Sequence, residues 1–92
     1  MITLVANTVK KLLAKKADGR FFRVSSDSTT VTRIATDQVV LEDSTGGFGI
    51  TAYESVIVEV KNNEELFAVS TGTPNISIAE ISRAIPGEVI RV

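Results

Sequence analysis

Between Arg20 and Val60 the chain is a succession of short apolar runs, rich in Val, Ile, Thr and Phe, broken by turn residues every few positions. "RFFRVS" (20–25), "TVTRIA" (30–35), "VVLED" (39–43), "FGITAY" (48–53) and "VIVEV" (56–60) are each of strand length. β-branched and aromatic runs of this kind, flanked by polar or glycine-containing breaks, favour extended backbone. In the last of them Val56, Val58 and Val60 alternate with Ile57 and Glu59, and in the fourth Phe48, Ile50 and Ala52 share one face. "STGG" (44–47) supplies glycines for the positive φ angles of a hairpin loop, while "TD" and "ES" are tight bends. Consecutive strands joined by short turns predict an antiparallel meander. Five such strands bend readily into a small barrel, which largely removes exposed edges.

The flanking segments carry a different period. Val5, Val9, Leu12 and Leu13 recur at helical spacing, so residues 4–17 are expected as a helix with Thr3 as its N-cap. Lys10, Lys11, Lys15 and Lys16 crowd its last turns, where cations suit the helix dipole, and Gly19 ends it. After residue 60, "KNNEE" reads as a polar turn, "LFAVS" as a sixth strand and "TGTPN" as a loop. "SIAEISRAI" (77–85) is expected as a short helix: Ser77 and Glu80 form a capping-box pattern, and Ile78, Ile81 and Ile85 line one face. "PG" stops it and "EVIRV" closes as a strand. The expected fold is mostly β (α+β): a domain over residues 1–60 (helix 4–17, strands 20–60) and a C-terminal strand–helix–strand extension over 61–92, packed on the same domain.

A chain of 92 residues is one domain with a thin core. It has no cysteine and no histidine. That removes disulfides, thiolate metal sites and thiol nucleophiles, together with the commonest general base and metal ligand. Oligomerisation is then the expected support for so small a core. No apolar run is long enough to span a membrane, and the N-terminus, with its lysines placed late, does not read as a signal peptide. A cytoplasmic location is the expectation. The net charge of −1 hides an asymmetry. Residues 1–33 carry seven basic groups, Arg23 and Arg33 among them, against Asp18 and Asp27; residues 34–92 carry nine acids against three basic groups. A basic N-terminal part points to a nucleic-acid or acidic partner, or to a solvated face.

Catalytic patterns are missing. No HExxH, GxSxG or phosphate-loop lysine motif occurs. "TGGFG" opens no helix that would back its amides against a phosphate. Glu42 and Asp43, adjacent on a strand, would point to opposite faces, and Ser25 and Ser26 have no histidine to activate them. The expectation is no enzyme and no cofactor.

The layout of "RIATDQVVLED" (33–43) and "GITAYESVIVEV" (49–60) resembles the Sm/LSm family, especially its Hfq branch. The shared points are a strand ending in Asp37–Gln38 before an apolar strand, and a bend at Tyr53–Glu54–Ser55 before Val56–Val60. The resemblance covers roughly residues 4–60. It implies an SH3-type barrel in a homo-oligomeric ring that carries RNA, or single-stranded DNA, around its pore. It implies Asp37, Gln38, Tyr53 and Ser55 as nucleic-acid contacts, with Asp37 fixing its loop, Gln38 on a base edge and Tyr53 packing or stacking. It implies Phe48, Ile50, Ala52, Val56, Val58 and Val60 at the subunit interface. The chain departs from the pattern at the second-strand glycine, at Val39 where an aromatic is usual, and at Glu54–Ser55 where Lys-His is usual. The expected RNA surface therefore shifts to Lys10, Lys11, Lys15, Lys16 and Arg20, multiplied by the ring. The alternative from another class is a structural or protein-interaction module without nucleic-acid binding.

Overall fold

The computed structural model describes residues 2–43, 45–51, 54–82 and 89–92. In chain order the elements are β1 (Ile2–Thr3), β2 (Lys10–Leu13), β3 (Arg20–Ser26), β4 (Thr32–Ala35), α1 (Gln38–Glu42), β5 (Phe48–Ile50), β6 (Ser55–Val60), β7 (Leu66–Ser70), β8 (Asn75–Ile81) and β9 (Val89–Ile90). They form two open sheets, one ordered β1-β8-β3-β6-β9 and the other β2-β7-β4-β5. All the ladders are antiparallel except β6–β9. The sheets share a core to which the first contributes Phe22, Val24, Val58, Val60 and Ile76, and the second Leu12, Ile34, Ile50, Leu66 and Ala68. The fold is a β-sandwich.

This corrects the expected barrel. The segments read as strands over 20–25 and 56–60 are strands, and the one over 30–35 is a strand from Thr32 to Ala35, because alternation and β-branching report local backbone. Their partners differ from a meander. β3 pairs with β6 and β8, and β4 pairs with β5 and β7. Of the consecutive strands up to β8, only β4 and β5 lie in one sheet; every other connection crosses to the opposite sheet. Short breaks between strands fit such crossings as well as they fit hairpins, so the sequence pattern could not separate the two.

The N-terminal helix is absent. Asn7 lies in the left-handed region at φ 58°, within a turn closed by the Thr8 N–H on the Val5 carbonyl. Asparagine tolerates that conformation where most residues do not. The apolar residues at helical spacing are divided between a loop, which holds Val5 and Val9, and β2, which holds Leu12 and Leu13. β2 is irregular, with a register shift between Lys11 and Leu13. The helix expected over 77–85 is also corrected as far as it is described. Asn75–Ile81 is a strand, in which Ile76 and Ile78 turn inward while Ser77 and Ala79 stay exposed. Ser77 and Glu80, three apart, lie on opposite faces of it, so no capping box exists. The rest of that expected helix falls outside the described residues. "VVLED" reverses the other way, into α1.

Residues 61–92 are integral to the sandwich. β7 lies between β2 and β4, and β8 between β1 and β3. No helix among the described residues is long and apolar enough to cross a membrane.

Candidate functional site

β4 delivers the chain into a short excursion that returns as β5. Asp37, in extended conformation, caps α1: its Oδ1 accepts the Val39 N–H at 3.0 Å. Aspartate at an N-cap satisfies a donor that the helix cannot, which outweighs the modest helix propensity of Val39 and Val40. Leu41 drops onto Ala35, Phe67 and Val69 and anchors the helix on the outer face of the four-stranded sheet. Gln38, Val39 and Val40 face solvent, Val39 at 67 % exposure. Arg33 holds the far end. Its Nη1 donates to the carbonyls of Asp43 and Gly46, both at 2.6 Å, and its Nη2 reaches the Leu41 carbonyl at 3.5 Å. The guanidinium fork thus ties the end of α1 to the turn that follows.

Arg33 was legible in the sequence only as one charge among seven; its role depends on where the excursion returns. Replacing Arg33 with alanine is expected to destabilise the fold by about 2–3 kcal/mol. Lysine should recover part of this, because an ammonium can donate to the two carbonyls that Nη1 bonds but has no second nitrogen to reach Leu41. Urea unfolding of the Arg33→Ala and Arg33→Lys chains measures both.

The residues expected to contact nucleic acid are divided: Lys15, Lys16, Arg20, Asp37 and Gln38 come to one end of the sandwich, and Ser55 to the other. Ser55 pairs with Ser25 at the end of the sandwich from which β3 leads into β4, whereas Asp37 follows the opposite end of β4. Tyr53 and Ala52 lie outside the described residues. The lysines leave their expected helix face for an edge strand and a loop. Lys10 donates to the Thr3 carbonyl at 3.5 Å, and Lys11 is bound to Glu65 at 2.6 Å. Arg20 lies over the Phe22 ring, 5.3 Å from its centre, and donates to the Ala14 carbonyl at 3.1 Å. Lys15 and Lys16 stand exposed in the β2–β3 loop, which the Asn63 N–H fastens to the β6–β7 turn through the Lys16 carbonyl. Among the residues expected at a ring interface, Ile50, Val58 and Val60 are inside the core and Val56 packs against it. Phe48 is partly exposed on β5, and β6 already has a neighbour on each side.

Three carboxylates bind the loops. Asp27 accepts from the Asn75 side-chain amide at 2.9 Å and from its backbone N–H at 2.8 Å, which holds its pKa below the ordinary range. Asp43 is lowered by the Thr45 backbone N–H and hydroxyl, both at 3.0 Å. Glu64 is lowered first by its paired bonds to Arg91, at 2.7 and 2.9 Å, and then by the Lys61 N–H. A lowered folded pKa contributes stability that is present above the unfolded value and is lost as pH falls through the folded one. Stability is therefore expected to be flat near neutrality and to fall below pH ~4. Urea midpoints across that range check it, and Asp27→Asn should make the fall shallower.

The sheet edges differ sharply from one another. β2 presents Lys10 and Lys11, β5 is three residues long with Gly49 at its middle, and β9 has two residues. Short strands and lysines are the usual defences of an edge. β8 has seven residues, and β1 covers it only at Asn75 and Ile76. The hydrogen-bond phase of the remainder follows from its start. The Leu4 N–H donates to the Pro74 carbonyl on the β1 side, while Asn75 turns its own backbone groups to Asp27 on the β3 side. Alternation then directs the N–H and C=O of Ile78 and Glu80 away from β3. Among the described residues nothing pairs with them. The stretch Ser77–Ile81 carries no lysine, proline or glycine. Reading it as a helix hid this edge; the alternation of Ile76 and Ile78 with Asn75, Ser77 and Ala79 was the signal that would have found it. Comparison with protein-family models, with curated proteins and with solved structures found no match for this chain.

Proposed function

We propose that this chain is a non-catalytic protein-interaction module whose working surface is the free edge of β8. The supporting observation is the pair of outward-directed backbone groups at Ile78 and Glu80, on the one long strand edge among the described residues that no defence covers. An edge of this kind accepts an extended strand: main-chain hydrogen bonds supply affinity and the alternating side chains supply selectivity. Ser77, Ala79 and Ile81 would meet a partner on the outer face, and Ile78 and Glu80 on the inner one. A cytoplasmic location belongs to the same proposal and draws on the cysteine-free sequence.

A panel of labelled peptides with alternating valine and threonine tests the surface by fluorescence anisotropy. Binding by members of the panel, lost in Glu80→Pro, is the expected result. Proline at 80 removes a donor that the described monomer does not use, so the sandwich should survive it. If no peptide binds the wild-type chain, the edge is not a strand acceptor.

The nucleic-acid reading retains one observation in its favour. Lys15, Lys16 and Lys61 come to the same end of the sandwich, and none makes an ion pair among the described residues. Asp18, Asp37 and Glu42 sit on loops or elements at that end as well, which weakens its field. Salt-dependent binding of U-rich or A-rich oligonucleotides, lost when Lys15 and Lys16 are changed to Glu, would favour this reading over the first.

A further inference from the structure

We infer that the occupant of the β8 edge is β8 of a second copy of this chain, joined antiparallel about a two-fold axis at Ala79. The inference rests on the edge being a strand acceptor, and the strand's own phase selects the partner. An antiparallel pair alternates between wide hydrogen-bonded positions and narrow non-hydrogen-bonded ones. Ile78 and Glu80 direct their backbone groups outward, so both are wide positions; Ala79, which turns its backbone groups to Arg23 on β3, is a narrow one. With the axis at Ala79, Ile78 of each copy faces Glu80 of the other. Each such pair exchanges both its N–H···O bonds, about four main-chain bonds in all.

The side chains agree with that axis. At the narrow pair on the two-fold, Cα atoms approach to about 4.5 Å and side chains crowd. The residue there, Ala79, has the smallest side chain of the seven in the strand. Glu80, the only charged residue of β8, lies beside Ile78 of the other copy rather than beside its own counterpart. An axis one residue on, at Glu80, would set the two carboxylates directly opposite each other, which is unfavourable. The axis at Ala79 takes bonds only from Ile78 and Glu80, but it also sets Ile81 of the other copy opposite Ser77, next to Ile2, so the end of β1 must shift to admit it. The two five-stranded sheets would then run as one continuous sheet through the dimer. An edge this short buries less than the roughly 1,200 Å² of a standard interface. The dimer is therefore weak, and its population follows concentration.

The absence of native cysteine gives a direct test. In the proposed register an Ala79→Cys pair meets at the two-fold, within the Cα separation of ~4.4–6.8 Å that a disulfide accepts. A Ser77→Cys pair is offset by roughly 13 Å along the strands and cannot close. Sedimentation of the wild-type chain from micromolar to millimolar concentration should show a monomer–dimer equilibrium. Ala79→Lys should abolish it while leaving the circular dichroism spectrum unchanged. Mild oxidation should give a covalent dimer for Ala79→Cys and little for Ser77→Cys. Equal cross-linking at both positions, or a dimer that survives Ala79→Lys, overturns the inference. A wild-type chain that stays monomeric at millimolar concentration also overturns it. In that last case the alternating peptides separate the two claims: if they bind, only the partner was wrong, and if they do not, the reading of the edge falls as well.

Discussion

A chain ending at Val60 is expected to be unfolded. The sequence divides naturally there, since the polar turn "KNNEE" follows a clear strand and separates 1–60 from the remainder. The sandwich does not divide there. Without residues 61–92, β2 and β4 lose β7, which lies between them, and β1 and β3 lose β8. The core loses Leu66, Ala68 and Ile76, all fully buried. What remains is the β3–β6 and β4–β5 pairs, and isolated two-stranded units are marginal in water. Circular dichroism and the amide dispersion of a fragment 1–60 decide the matter. A well-dispersed spectrum would mean that the first 60 residues possess another fold of their own.

Gly46→Ala is the point substitution expected to do most harm. A Cβ on Gly46 would run into the backbone carbonyl oxygen of Val40, with the carbonyl carbon 2.9 Å and Val40 Cγ1 3.0 Å away. Backbone cannot swing aside as a long side chain can, so either α1 or the turn must move. The neighbouring Gly47 has a φ of +91° and would press a Cβ against Leu41 Cδ2 at 2.6 Å, so the turn has no slack on that side. The expected cost is about 3–4 kcal/mol, in the range of overpacking combined with backbone strain. A large share of a small domain's stability would be gone. Because Arg33 and Gly46 hold the same turn, the Arg33→Ala, Gly46→Ala double variant should lose less than the sum of the two. Urea unfolding of the four chains in that cycle measures both effects. A cost below about 1 kcal/mol for Gly46→Ala would show that the excursion opens without the sandwich.

The parts of this fold that were legible in the sequence are those decided locally. β3, β6 and β7 announce themselves through aromatic and β-branched runs, whereas Asp37, expected at a bend between two strands, caps α1 instead. Two errors came from patterns that satisfy both periods. Val5, Val9, Leu12 and Leu13 fit a helix stripe, yet nothing local reports that Asn7 adopts a left-handed turn or that β7 is waiting to pair with Lys10–Leu13. Ile78 and Ile81 fit a helix, while Ile76 and Ile78 fit a strand; pairing of β8 with six of the seven residues of β3 decided between them. "VVLED" failed for the converse reason. β-branching favours a strand, but the Asp37 cap and the landing of Leu41 on Phe67 and Val69 are worth more than the preference of Val39 and Val40. The candidate edge was illegible because edges exist only once strand order is known, and strand order is set by contacts distant in sequence.

Crossing between sheets at almost every connection has a kinetic consequence. Each sheet is assembled from segments far apart along the chain, and both central partners, β7 and β8, come late in the order of synthesis. The topology therefore has high contact order, and loop closure must be endured before most native pairs form. Refolding belongs with the slow β-sandwiches, in milliseconds to seconds. On the ribosome, β3 and β4 must wait with unpaired flanks until residues 66–81 have emerged. That interval, rather than the finished fold, is when this chain is most exposed to aggregation.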